Sequence, residues 1–203
     1  MKKNIFVLAS GILLITLLAA FKITGDVLSI GSSLPKGDVT MKDIRNEDIS
    51  MKDAQRKNGL LVMFTCNTCP YVVKNQARTK AIYKYALQNN IGVILLNSNE
   101  GNRTGEDSFG AMQQYAKDQK YDCYYVVDKN NEIADAFGAN RTPENFLFNK
   151  DLKLVYHGAI DDNPSDALNV KRQHLKEAMN ELVAGKNITI KESRSVGCTI
   201  KRK

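Results

Sequence analysis

Tryptophan is absent, histidine occurs twice and cysteine four times in these 203 residues. His157 and His174 are isolated, and Cys123 and Cys198 are not paired in sequence. A structural zinc site takes four Cys or His ligands, commonly as two close pairs, so half of such a set is missing. There is no internal repeat and no low-complexity tract, which sets aside solenoids and extended disorder. Charge of one sign is not concentrated either. The net charge is +7, yet Lys2 and Lys3 belong to the amino end, Lys201, Arg202 and Lys203 to the carboxyl end, and the rest are scattered, often beside acids. No basic block carries interleaved aromatics, so no nucleic-acid face is expected. Hydrophobic residues make up 43% and charged residues 25%, as in ordinary globular proteins, and the length suits one domain with a substantial core.

One long apolar run is present, Ile5 to Phe21, broken only by Ser10, Gly11 and Thr16 and preceded by Lys2 and Lys3. This is the pattern of a secretory signal. It is also at the short limit for a spanning helix, which needs about 17–25 residues. Cleavage after Ala19 or Ala20 places a large leucine, Leu17 or Leu18, just upstream of the cut. Residues 1–21 therefore read as a signal peptide or an N-terminal membrane anchor. No cysteine follows the run, which excludes lipid attachment there. The expectation is export to a periplasmic or other extracytoplasmic compartment, with membrane tethering as the alternative to cleavage. In an oxidising compartment a dithiol persists only if something reduces it.

Residues 22–37, with Gly25, Gly31, Pro35 and Gly37, read as a linker or irregular lead-in to a domain over 38–203 whose tail is 186–203. Val39 to Asp53 suggests a small strand pair and a short helix. Leu60 to Phe64 and Ile91 to Leu96 are continuous apolar runs, as in strands buried on both faces. Helical spacing covers Tyr71 to Asn89, then Asp107 or Ser108 to Gln119, and Glu132 to Phe137 before Gly138. Tyr124 to Val127 reads as a short strand. Asn145 to Phe148 and Leu152 to His157 straddle a turn at 149–151 and read as a hairpin, and Asp166 to Ala184 reads as the last helix. This order describes an α/β fold with a mixed sheet, parallel crossovers first and an antiparallel pair last.

Within it stands Phe64-Thr-Cys-Asn-Thr-Cys-Pro-Tyr71. Haem attachment needs a histidine after the second cysteine, where Pro70 stands. Zinc lacks its second pair, and an inert disulfide remains as a bland alternative. A redox dithiol has a mechanical basis: Cys66 ends a buried strand and Cys69 opens a helix, so unpaired N–H groups and the positive helix end favour a thiolate. Pro70 falls in the first turn, where its missing N–H costs little, and a sulfur three residues on reaches back to resolve a mixed disulfide. Thr142-Pro143, before the hairpin, is a candidate cis bond.

The residues Val62 to Val72, Ile94 to Asn99, Thr142 to Phe148, Leu154 to Asn163 and Ser195 to Lys201 resemble, in order, the thioredoxin-fold redoxins related to alkyl hydroperoxide reductase and thiol-specific antioxidant, especially their peroxiredoxin-like branch. The resemblance implies a thioredoxin-like fold, a mixed central sheet flanked by helices, with Cys66 and Cys69 as the redox pair, Pro143 as the cis-proline facing it, and an oxidoreductase or antioxidant role. Against typical thioredoxins, Thr65 replaces tryptophan and Asn67-Thr68 replaces Gly-Pro, and the strand before the motif lacks their buried acid. The threonine and proline that typical peroxiredoxins place before the peroxidatic cysteine are likewise absent: counted from Cys69 those positions are Cys66 and Val62, and from Cys66 they are Met63 and Gly59.

The reading is an exported thiol–disulfide oxidoreductase. Cys66 is the nucleophile and Cys69 the resolving thiol, working with Thr142 and Pro143, no cofactor, a protein or small-molecule disulfide or thiol substrate, and an external thiol reductant. A thiol-dependent peroxidase is the alternative, and a Cu(I) chaperone a further one, which needs a third ligand near the two thiolates. Cys198 is a candidate additional redox residue or else a packing residue of the tail, and Arg141 a candidate thiolate stabiliser or a surface residue. Cys123 reads as a buried hydrophobe and Asp161-Asp162-Asn163 as a loop and helix cap. The Asn-x-Thr triplets at Asn102, Asn140 and Asn187 match an acceptor pattern that also arises by chance.

Overall fold

A computed structural model describes residues 26–203, so the signal or anchor expected over 1–21 lies outside the described residues. Residues 26–37 are a packed, irregular lead-in. Val27, Leu28, Ile30 and Leu34 lie against the core, and the N–H groups of Leu28, Gly31 and Leu34 donate to the carbonyls of Phe137, Leu154 and Leu152 at 2.8–2.9 Å. Next come β1 (Met41–Lys42) and β2 (Asp48–Ile49), an antiparallel pair. Helix α1 (Met51–Ala54) follows, its end closed by Ser50 and Asp53, which each bond the other's backbone N–H in a capping box.

The main sheet is built from β3 (Gly59–Thr65), β4 (Ile91–Asn97), β5 (Tyr124–Val127), β7 (Glu144–Phe148) and β8 (Leu154–Gly158). Between them lie α2 (Pro70–Gln88), α3 (Phe109–Gln119), α4 (Glu132–Phe137) and β6 (Arg141–Thr142), and after them α5 (His174–Val183) and β9 (Cys198–Thr199). The order across the sheet is β5-β4-β3-β7-β8. β3, β4 and β5 run parallel; β7 is antiparallel to β3, and β8 antiparallel to β7. This is the expected mixed sheet flanked by helices. Every residue of β3 and β4 is buried, because helices cover both faces. Leu61, Met63, Val93 and Leu95 face α2, α3 and α5 with Tyr83, Met112 and Met179. Leu60, Val62, Phe64, Ile94 and Leu96 face α1 and α4 with Met51, Ile133 and Phe137.

The last helix departs from expectation: it begins at His174, not Asp166. The Asp166 carboxylate accepts the Leu168 N–H at 2.9 Å and holds a single 3₁₀ turn. Asp162 then fixes the chain ahead of α5: its carboxylate accepts the Lys171 N–H at 3.0 Å, and its own N–H donates to the Arg172 carbonyl at 3.1 Å. Groups engaged this way cannot enter an i→i−4 ladder.

Gly92 sets how closely α1 can lie on the sheet. A Cβ there would stand 1.8 Å from the Ala54 carbonyl oxygen, which is backbone and cannot swing away. Gly92→Ala is expected to cost about 3 kcal/mol, the upper end for overpacking, lowering the midpoint of thermal unfolding by roughly 6–12 °C for a domain of this size.

Candidate active site

The site forms where β3 and β7 end side by side. Phe64 pairs with Glu144, so the chain leaving β3 at Cys66 passes the chain entering β7 at Thr142 and Pro143. The Thr142–Pro143 bond is cis. Cys66 Sγ lies 3.4 Å from Thr142 Oγ1, and Cys69 Sγ lies 3.3 Å from the Thr142 carbonyl oxygen. Cys69 occupies the N-cap position of α2, with Pro70 opening the first turn. The four residues expected to act together do meet.

Cys198 meets them as well. β9 runs antiparallel to β6, with Thr142 opposite Cys198 and Arg141 opposite Thr199. A disulfide joins Cys69 to Cys198, Cα to Cα 6.1 Å apart, and leaves Cys66 and Cys123 free. Cys69 is therefore bonded to the tail and not to Cys66. Cys66, Cys69, Val72, Tyr71 and Cys198 form a small apolar cluster, and Cys66 is 1% exposed.

That burial decides the charge state of Cys66. Removal from water pushes its thiol up, and the Asp107 charge pushes it further. The Thr142 hydroxyl and the backbone N–H groups of Cys69 and Thr68 act the other way, and burial prevails. The expected pull of the helix-end N–H groups on Cys66 is present, with Cys69 at the N-cap as expected, and is outweighed by burial in this closed arrangement. Arg141 is exposed, with its guanidinium 3.5 Å from the Gly197 carbonyl. Its contact is therefore with the tail, as suits a surface residue of the loop.

Behind the cysteines lies a buried polar network. The Asp107 carboxylate accepts from the Asn67 N–H at 2.9 Å, from Asn97 Nδ2 at 2.7 Å and from Asn99 Nδ2 at 2.9 Å. The Tyr125 hydroxyl donates to Asn67 Oδ1 at 2.8 Å and accepts from Asn97 Nδ2 at 3.0 Å. Asn99 Oδ1 accepts the Lys201 N–H at 2.9 Å, which ties the network to the tail. Sequence reasoning missed these roles; the signal was Asn97-Ser98-Asn99, three polar residues closing an apolar strand. On the other flank, the Glu144 carboxylate accepts the N–H groups of Asn140 and Arg141 at 2.9 and 3.1 Å and lies 2.8 Å from His157 Nε2. It fixes the loop before the cis-proline.

Cys123 is buried at the start of β5, its thiol pushed far up by desolvation. Asp161 accepts from Arg78 Nη1 at 2.6 Å and is likewise buried. Among the described residues, no group of three or more His, Cys, Asp or Glu side chains is placed to hold a metal ion.

A mixed sheet with a Cys-x-x-Cys at the C-terminal end of its central strand, opposite a cis-proline, defines a thioredoxin-like fold. The Redoxin family model matches residues 29–172, and the chain belongs to that family. An uncharacterized conserved protein from Geobacillus kaustophilus shares 28% identity at a TM-score of 0.80, covering 86% of this chain and 93% of its own. A hypothetical protein from Sinorhizobium meliloti 1021 shares 26% at 0.80, covering 88% and 97%. PrxQ from Xylella fastidiosa shares the fold, with 17% identity, a TM-score of 0.56 and coverage of 79% and 99%. No curated protein matches the chain in sequence. Membership of the Redoxin family supports redox enzyme activity in general terms.

The burial of Cys66 has a measurable sign. With Cys69 and Cys198 bonded, alkylation of Cys66 followed against pH and located by peptide mapping should still rise beyond the ordinary thiol pKa of about 8.5. Asp107→Asn removes the charge that adds to the shift and should move the midpoint down. A midpoint at or below the ordinary value in the wild type contradicts the account.

Proposed function

We propose that the protein is an exported thiol–disulfide oxidoreductase in which Cys66 and Cys69 cycle between dithiol and disulfide. The observation that carries this reading is that both sulfurs converge on Thr142, one at its hydroxyl and one at its carbonyl, beside cis-Pro143. Cys66, as thiolate, attacks one sulfur of a partner disulfide. The other partner sulfur leaves as a thiolate and takes a proton. The Cys69 thiolate then attacks Cys66 Sγ, the partner leaves reduced, and a Cys66–Cys69 disulfide remains. An external thiol donor reduces that bond and is itself oxidised to a disulfide. The Thr142 hydroxyl donates to the Cys66 thiolate, with the N–H groups of Cys69 and Thr68. The Cys69–Cys198 bond must open before Cys69 can resolve.

A second reading is a thiol-dependent peroxidase, favoured by the placement of Cys69 at a helix N-cap and its bond to a cysteine 129 residues away. A peroxide would oxidise Cys69 to the sulfenic acid and leave as the alcohol. Cys198 would then condense with the sulfenic acid and release water.

The purified protein should reduce insulin disulfides with a dithiol donor. Cys66→Ser should lower that rate by more than about 100-fold, because a serine hydroxyl is no nucleophile at neutral pH. Cys69→Ser should accumulate a mixed disulfide with the partner. Peroxide consumption that survives Cys66→Ser and is lost in Cys69→Ser would favour the peroxidase, and neither activity above the Cys66→Ser control would end the dithiol reading.

Export rests on the basic and apolar pattern of residues 1–21; among the described residues no helix is long and apolar enough to cross a membrane. A fusion of residues 1–25 to a reporter enzyme active only outside the cytoplasm should be active. Mass analysis of the secreted or membrane fraction distinguishes cleavage from anchoring.

A further inference from the structure

The tail is held at both ends and crosses the site between them. Upstream, the Ser193 N–H donates to the His157 carbonyl at 3.0 Å, and the Ser193 hydroxyl lies 2.7 Å from the Tyr156 hydroxyl. Downstream, the Ile200 N–H donates to the Asn140 carbonyl at 3.0 Å, and Ile200 is sunk in the core. The Arg202 guanidinium bonds the Ala139 carbonyl at 2.7 Å and the Asp135 carboxylate at 2.9 Å. The span between lies against the dithiol, Tyr71 and Val72, the β6 edge and Pro143. Ser195 Oγ, within it, is buried without a hydrogen-bond partner.

Gly197 shows how closely this span is fitted. A Cβ there would lie 2.1 Å from the Thr142 carbonyl oxygen, so only glycine can precede Cys198 while β9 pairs with β6. The tail is an extended segment with a cysteine, added as an antiparallel strand beside the cis-proline and bonded through sulfur to the motif. Main-chain pairing of this kind takes an extended peptide with little regard to its sequence.

Resting on the dithiol function proposed above, we propose that the tail is an internal stand-in for a protein partner. It fills the Arg141–Thr142 edge at which an extended, cysteine-bearing polypeptide segment docks. The Cys69–Cys198 disulfide latches it there until a small-molecule thiol reduces the bond. The chemistry balances: a thiolate attacks Cys198 Sγ, forming a mixed disulfide and expelling the Cys69 thiolate. A second thiolate attacks the small-molecule sulfur of that mixed disulfide, forming the oxidised small molecule and expelling the Cys198 thiolate. The two expelled thiolates take one proton each. Cys198 is only partly buried whereas Cys69 is 5% exposed, so attack enters at Cys198. With the latch open, the span lets go of β6, and Cys66 and the edge become reachable together. A docked segment meets the same constraint as the tail: glycine before its cysteine fits, and a β-branched residue collides with the Thr142 carbonyl.

The test uses the wild-type chain, air-oxidised and dithiothreitol-reduced, and dithiothreitol-reduced Cys198→Ser. Peptide mapping should find Cys69 bonded to Cys198 in the oxidised chain. Iodoacetamide should label Cys66 at least about 10-fold faster in the reduced chain and in Cys198→Ser than in the oxidised chain, as expected for local opening. Amide exchange of residues 197–200 should accelerate in the same two forms. The reduced chain should react with a decapeptide bearing an activated cysteine disulfide faster when glycine precedes the cysteine than when valine does, with no such preference toward a small aromatic disulfide. Equal labelling and equal amide exchange with the bond closed and open overturn the strap, as does an oxidised chain with Cys66 bonded to Cys69. If the strap behaves as stated but insulin reduction does not exceed the Cys66→Ser control, the dithiol function fails and the strap stands. If insulin is reduced but Cys66 labels equally in all three forms, the strap fails and the function stands.

Discussion

β3 and β7 run antiparallel with Phe64 opposite Glu144, and every group of the site takes its position from that register. A slip of one residue would turn Leu60, Val62 and Phe64 from one core to the other. Both cores are filled by large side chains, among them Phe64, Phe137 and Phe146 packed edge to face, so the register is held by burial on two faces at once. Because it is held, Thr142 cannot drift from Cys66. A two-residue strand such as β6 has little stability of its own. It is placed by β7, by Glu144 bonding the N–H groups just before it, and by β9 on its open side.

The network around Asp107 serves the other half of the site. The Cys-x-x-Cys loop has no regular backbone pairing, so Asn67 must find partners elsewhere, and a buried polar group without one is costly. Its N–H, side-chain oxygen and Nδ2 go to Asp107, Tyr125 and the Glu106 carbonyl. Residues from β4, β5 and the loop before α3 thereby fix the position of Cys66. Typical thioredoxins carry a buried acid in the strand before the motif, which is apolar in this chain. Asp107 puts a buried carboxylate close enough to act on Cys66 from a loop, far away in sequence.

Much of this was legible from residue patterns, and the boundary follows physical lines. Apolar runs such as Leu60–Phe64 and Ile91–Leu96 announce strands because burial on both faces leaves no other use for them. The Thr142-Pro143 pair and the Cys-x-x-Cys also carry their meaning locally. What escaped depends on partners distant in the chain. Cys69 and Cys198 are 129 residues apart, and no spacing rule reports that a tail returns to the site. The start of α5 was misplaced because Ala167, Leu168 and Val170 imitate a helical stripe. In the structure Leu168 is 96% exposed, and side chains of Asp162 and Asp166 hold its neighbours out of the helix. The helix end alone points Cys66 toward the thiolate, which omits the larger effect of its burial.

On the strap proposed above, the same geometry makes a sulfur that is quiet when covered and reactive when uncovered. The penalty on a Cys66 thiolate comes first from lost water, and the tail is part of what excludes that water. The Thr142 hydroxyl and the Cys69 and Thr68 N–H groups belong to β6 and the motif loop, not to the tail, so they stay when the tail leaves. Opening the Cys69–Cys198 bond therefore removes the tail's part of the opposing effect and keeps the three donors. It also releases the Cys69 thiolate, which is needed to resolve a mixed disulfide. On that proposal the nucleophile, the resolving thiol and the docking edge become available in one event, so a partner segment that reaches Thr142 meets a dithiol already prepared to react.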